Sequence, residues 1–167
     1  MTGLAWFNAL PDPDADGALA RCCSSPAWVV GVRTGRPYGS VAELVATSTR
    51  LVAGLTPSDL RSALDGHPRI GEREVGSPVT WSSQEQARMA AADEALAARM
   101  RTANEAYEAR FGHVYLVRAA GRSASELVEL AETRLHHDPA DEDLVVREEL
   151  SGINGLRLTR LLEEAAP

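Results

Sequence analysis

The stretch SQEQARMAAADEALAARMRTANEAYEAR, residues 83–110, decides the fold. It contains neither glycine nor proline and is dominated by Ala, Glu, Arg, Gln and Met, residues that lose little on entering a helix. It predicts the longest helix of the chain, from Ser83 to about Arg110, ending near Phe111-Gly112, where glycine suits a helix terminus. Just ahead of it, Ser82-x-x-Glu85 has the spacing of a capping box, and Ser82, Glu85, Gln86 and Met89 share one face. A helix start of this kind, with hydroxyl, carboxylate, amide and backbone N–H groups, suits a polar or anionic ligand, although the same residues also make an ordinary cap.

On the C-terminal side, His113-Val114-Tyr115-Leu116-Val117-Arg118 is β-branched, apolar and too short for a helix, and Gly112 and Gly121 bound it. A lone extended segment buried among helices is expected there. Ser123, with Glu126 at capping-box spacing, opens a helix to about His136, and the last helix is expected from about Pro139 to Glu164. On the N-terminal side, Trp6 to Leu10 reads as a short apolar turn and Asp14 to Cys22 as a short helix. Trp28-Val29-Val30-Gly31-Val32 could pass for a strand, but the Gly and Pro that follow indicate an irregular packed segment. Ser40 caps the next helix, and Thr56-Pro57 opens another that delivers the chain to His67. Residues 1–167 thus read as one all-α domain, a helical bundle with one long central helix and a short buried extended segment.

Composition removes whole classes of function. The chain has 167 residues and a formal charge of −7, its seventeen basic residues are scattered, and it contains no lysine. No nucleic-acid partner is expected, and no P-loop is possible. Neither a long apolar span nor a signal-peptide pattern is present, so a soluble cytoplasmic protein with no membrane partner is expected. Cys22 and Cys23 are adjacent and cannot staple distant elements together. No metal is expected, because none of the usual His and Cys ligand spacings occurs.

Gly66-His67-Pro68-Arg69-Ile70-Gly71 carries the chemistry. Pro68 restricts the backbone of His67, and Gly71 permits a turn that other side chains resist. His136 and His137, near a helix C-terminus, read as structural or solvated, and His113 as a satisfied buried residue.

The order His67-Pro68-x-Ile70-Gly71, Ser82-x-x-Glu85-Gln86, Asn104-x-x-Tyr107-x-x-x-Phe111-Gly112, Gly121-x-Ser123 and Ile153-x-x-Leu156-Arg157-Leu158 resembles 2-oxo-4-hydroxy-4-carboxy-5-ureidoimidazoline (OHCU) decarboxylases over most of the chain. The resemblance implies an all-helical, usually dimeric enzyme, hence a homodimer, which acts without a cofactor on a small molecule in the last step of urate breakdown to allantoin. It makes His67 the catalytic acid–base residue and Glu85 its catalytic partner. Pro68, Ser82, Gln86, Arg157 and the main chain at Leu116 and Val117 become substrate-binding groups, with Arg160 a competitor for the anion-holding role of Arg157. The chain departs from the family pattern at His113-Val114-Tyr115, where Phe-Pro-Phe is common. Two other readings are a decarboxylase or hydrolase acting on another ureido or cyclic amide compound, and a non-catalytic helical adaptor.

Overall fold

The computed structural model describes residues 2–71 and 94–165, and all regular structure among them is helical. The helices are α1 (Gly3–Ala9), α2 (Asp12–Ala20), α3 (Pro26–Thr34), α4 (Val41–Ala53), α5 (Pro57–Asp65), α6 (Glu94–Phe111), α7 (Ala124–Arg134) and α8 (Pro139–Glu164). Local signals set most of their starts. The side chains of Ser40, Thr56 and Ser123 accept from the N–H groups of Glu43, Asp59 and Glu126, each filling one donor that a first helical turn leaves unsatisfied. At Ser123 the box is reciprocal, because Glu126 Oε2 accepts from the Ser123 N–H at 2.6 Å.

Three expectations need correction. Trp28 to Val32 is neither strand-like nor irregular but lies within α3. Ser25 Oγ accepts from the Trp28 N–H at 3.3 Å and Pro26 occupies the first turn. Trp28, Val29 and Val32 then fall on one buried face, and this burial outweighs the weak helix preference of valine. Trp6 to Ala9 is not a turn but the end of α1, which Thr2 caps through the Ala5 N–H at 3.2 Å and which Leu10 closes. Helix α2 starts at Asp12 rather than Asp14, with proline accepted in its first turn. The longest helix among the described residues is α8, at 26 residues, with the predicted bounds. Of the predicted helix 83–110, the part from Glu94 onward is described, and 83–93 lie outside the described residues.

The chain divides into two compact units, Met1–Gly66 with Leu150–Pro167, and His67–Glu149. In the first, α3 packs on α2, α4 and α5. Phe7, Leu19, Trp28, Leu44 and Leu158 are wholly buried, and the Trp28 indole donates to Ser48 Oγ at 3.1 Å. A Cβ on Gly3 would lie 1.9 Å from the Leu162 carbonyl oxygen, so α1 meets the last helix at a separation that excludes any side chain. In the second unit α6 packs on α7, and Ile70, Met100, Tyr107, Tyr115, Val117 and Leu127 share one apolar cluster.

Candidate active site

His67 follows directly on α5 and its terminal Gly66, and is 6% exposed with its Nε2 atom fully buried. The loop after it is fastened to α6 at two points one turn apart. Asn104 Nδ2 donates to the Ile70 carbonyl at 2.9 Å in a buried setting. Arg69 forms a two-pronged pair with Glu108, 2.6 Å from Nε to Oε1 and 2.6 Å from Nη2 to Oε2. Such a fork fixes direction as well as distance. Gly71 then turns with φ +89°, which a side chain would resist. Pro68 stiffens the near end and the two α6 contacts hold the far end, so the imidazole stands on a rigid base.

The segment from Val114 to Ala119 is extended and belongs to no sheet among the described residues, as the sequence implies. Tyr115, Leu116 and Val117 are nonetheless buried. A buried backbone without a ladder needs other partners. Charged side chains supply some of them: Arg134 Nη1 donates to the buried Leu116 carbonyl at 2.8 Å, and at the exposed end of the segment Glu149 Oε2 accepts from the Arg118 N–H at 2.7 Å and Arg122 Nη1 donates to the Arg118 carbonyl at 2.8 Å. Among the described residues the N–H groups of Leu116 and Val117 donate to no acceptor. His113 is half-buried, with Nδ1 3.0 Å from the Val114 carbonyl oxygen and its ring edge-on to Tyr107.

Behind this segment lies a network of buried charge. Glu142, 1% exposed, accepts on Oε1 from Arg134 Nε at 2.9 Å, from Arg134 Nη2 at 2.5 Å and from the Tyr107 hydroxyl. Its Oε2 lies 2.8 Å from His137 Nδ1. The Arg134 guanidinium stands 4.9 Å from the Tyr115 ring centre. Burial and the bond to Glu142 push the Tyr107 phenol up, and burial does the same to Tyr115, so both stay protonated through the neutral range.

Arg157, in the first unit, is 7% exposed, and its Nη1 donates to the Cys22 carbonyl at 3.0 Å. Arg160, one turn on, is half-buried. Burial pushes the Cys22 thiol up to about 12 despite the nearby Arg157 charge, and it raises Cys23 as well. Neither thiol has the character of a nucleophile. Among the described residues, no three His, Cys, Asp or Glu side chains come together in a way that could hold a metal ion, and no helix is long and apolar enough to cross a membrane.

Of the predicted site residues, His67, Pro68, Leu116 and Val117 belong to one unit, and Ile70 and Val117 join the same cluster beside α6. Arg157 belongs to the other unit. Ser82, Glu85 and Gln86 lie outside the described residues. The supports Glu108, Arg134 and Glu142 carry no functional mark in the sequence, and Asn104 stands out there only as part of the Asn104-x-x-Tyr107 element of the resemblance. Only the i, i+4 spacing of Asn104 and Glu108 hints that both face one loop.

A family model described as OHCU decarboxylase matches residues 8–159. A 2-oxo-4-hydroxy-4-carboxy-5-ureidoimidazoline decarboxylase of Haloferax volcanii is 25% identical over 156 residues, covering 93% of each chain. A protein of the same name from Amia calva is 28% identical over 149 residues, covering 87% of this chain and 83% of its own. The crystal structure of an OHCU decarboxylase in the presence of (S)-allantoin matches with a TM-score of 0.77 at 22% identity, over 89% of this chain and 98% of that one. An (S)-allantoin synthase matches with a TM-score of 0.73 at 16% identity, over 95% of this chain and 54% of the other. The two structural likenesses concern fold.

Proposed function

The chain belongs to the OHCU decarboxylase family, and from that premise we propose that His67 drives decarboxylation of 2-oxo-4-hydroxy-4-carboxy-5-ureidoimidazoline to (S)-allantoin. The enzyme is a carboxy-lyase of urate degradation. Its substrate bears carboxylate and hydroxyl on one ring carbon, and the adjacent ring carbon is doubly bonded to nitrogen. When the carbon–carbon bond to the carboxylate breaks, its electron pair forms a new double bond to the adjacent carbon. Carbon dioxide leaves, and the former C=N pair moves to nitrogen, which takes a proton from solvent. The resulting enol loses its hydroxyl proton, and the ureido-bearing carbon gains one. The substrate contains its own electron sink, so the protein's task is to orient the carboxylate and move one proton to one face.

His67 takes the hydroxyl proton and returns it to carbon, a role suited to an imidazole, whose two ring nitrogens can accept and donate. The observation that carries this assignment is the fastening of its loop to α6 by Asn104 and Glu108, because proton transfer to one face requires a fixed donor. Pro68 sets the approach. The Leu116 and Val117 main chain binds the substrate's polar edge, a reading supported by buried N–H groups that donate to no acceptor among the described residues. Arg157 holds an anionic group, and its deeper burial favours it over Arg160. Glu85 orients His67 or the ureido group, and Ser82 and Gln86 bind ring atoms. The enzyme acts as a cytoplasmic homodimer.

The test is circular dichroism of the allantoin formed by urate oxidase, hydroxyisourate hydrolase and this protein, compared with the same mixture carrying His67→Asn. The native chain is expected to give a rapid (S)-allantoin signal. His67→Asn should retain its helix content but lose roughly 100-fold or more in turnover, the usual scale for an acid–base group. Racemic product at the spontaneous rate with the native chain would rule out this substrate. Near-native turnover of the variant would remove His67 from the mechanism.

A further inference from the structure

We propose that Arg134 is a positioning residue for the decarboxylation, holding the Leu116 carbonyl so that the neighbouring main-chain N–H groups face the substrate; this rests on the reading of Leu116 and Val117 given above. Arg134 stands at the end of α7, one helix away from the segment it supports, yet it is 4% exposed and directs its donors to buried acceptors, the Tyr107 hydroxyl at 3.4 Å among them. Nε and Nη2 go to Glu142 Oε1, and Nη1 goes to the Leu116 carbonyl at 2.8 Å. A planar guanidinium sends these donors in fixed directions, so the position of Glu142 dictates that of the carbonyl. The carboxylate is itself fixed by the Tyr107 hydroxyl from α6 and by His137. Helix α6 thus anchors both candidate site segments, the His67 loop through Asn104 and Glu108 and the extended segment through Tyr107, Glu142 and Arg134.

A sheet would hold an extended segment through its own N–H and C=O groups and leave few for a ligand. Side-chain support from one direction fixes the peptide plane through the carbonyl and leaves the N–H groups to act. Arg134 touches no reacting atom in this scheme. It sets the angle of the peptide that does.

Arg134→Lys keeps the charge that Glu142 needs but replaces the fork with a single ammonium, which cannot serve both acceptors with the same geometry. Arg134→Met combined with Glu142→Gln removes the buried charge pair together with the donor to Leu116, an exchange that stability often tolerates. In the coupled circular-dichroism assay each folded variant is expected to show KM raised about tenfold or more, because the substrate meets a mis-set peptide. A purely structural role would lower the melting temperature and scale kcat with the folded fraction, leaving KM unchanged. Native KM in either folded variant, or failure of both to fold, would assign the network to stability alone and overturn the proposal. If the native chain itself made no (S)-allantoin, the substrate reading would be at fault instead. Arg99→Gln, which breaks the exposed Arg99–Glu132 pair, serves as the control with native KM and kcat.

Discussion

The core of the first unit and the support behind the extended segment solve the same burial problem in opposite ways. Around Trp28 the backbone is helical and largely satisfies itself, so most side chains are free to be apolar, and neutral bonds such as Trp28 indole to Ser48 and Tyr38 hydroxyl to the Val32 carbonyl handle the polar remainder. Around Leu116 the backbone has neither helix nor ladder, and the Arg134–Glu142 pair carries charge into the interior to meet its carbonyl. The difference teaches where specificity resides. An apolar core tolerates repacking, whereas a buried ion network holds only while every member is present.

The largest effect should come from breaking that network by one member. Glu142→Ala strands the Arg134 guanidinium in the interior and is expected to cost about 3–5 kcal/mol in denaturant unfolding. The paired change Arg134→Met with Glu142→Gln should recover most of that loss. Leu44→Ala in the apolar core is expected to cost a similar 2–5 kcal/mol or so, by cavity formation, with no partner substitution able to restore it. If the Glu142 loss proved as irreversible as the Leu44 loss, the contrast between the two regions would collapse.

A smaller effect is expected from Asn104→Ala. It removes the donor to the buried Ile70 carbonyl and should cost about 1–3 kcal/mol. Turnover should fall by more than that destabilisation explains, because the His67 loop loses one of its two ties. Equal activity per folded molecule would mean that the Arg69–Glu108 fork alone holds the loop.

The mildest perturbation is pH. Cys22 is held protonated up to about 12 in the folded chain against an ordinary value of 9.0, and Tyr107 and Tyr115 are likewise raised above 10.0. Well below pH 9 these groups are protonated in both states and add no pH dependence of their own. Above it the unfolded chain releases protons that the folded chain retains, so stability falls from pH 9 toward 12. Melting temperatures across pH 8–11 check this, and Cys22→Ser should make the decline shallower. A flat native profile would contradict the burial of these groups.

The sequence shows clearly whatever is encoded within one turn. The caps at Ser40, Thr56 and Ser123 and the span of α8 are all legible, because the deciding residues are neighbours. Helix α3 is not, because a β-branched run with an internal glycine has strand-like composition and only tertiary burial of Trp28, Val29 and Val32 decides against it. The same division runs through the candidate site. Pro68 and Gly71 mark the His67 loop in the chain itself, and Gly71 turns with positive φ as the sequence requires. The fastenings to Asn104, Glu108 and Arg134 join residues far apart in sequence, and nothing in the chain's local pattern pairs them.

The Gly3 contact with the Leu162 carbonyl has a consequence for the ribosome. Helix α1 is made before the helix whose carbonyls it must rest against, and His67–Glu149 is made between the two. The face of α1 that Gly3 turns to Leu162 therefore waits, although α3 can already pack on α2, α4 and α5, while His67–Glu149 is made as one continuous stretch. The unit begun second is therefore the first to have its whole chain in hand, and the unit begun first is completed only with the last helix.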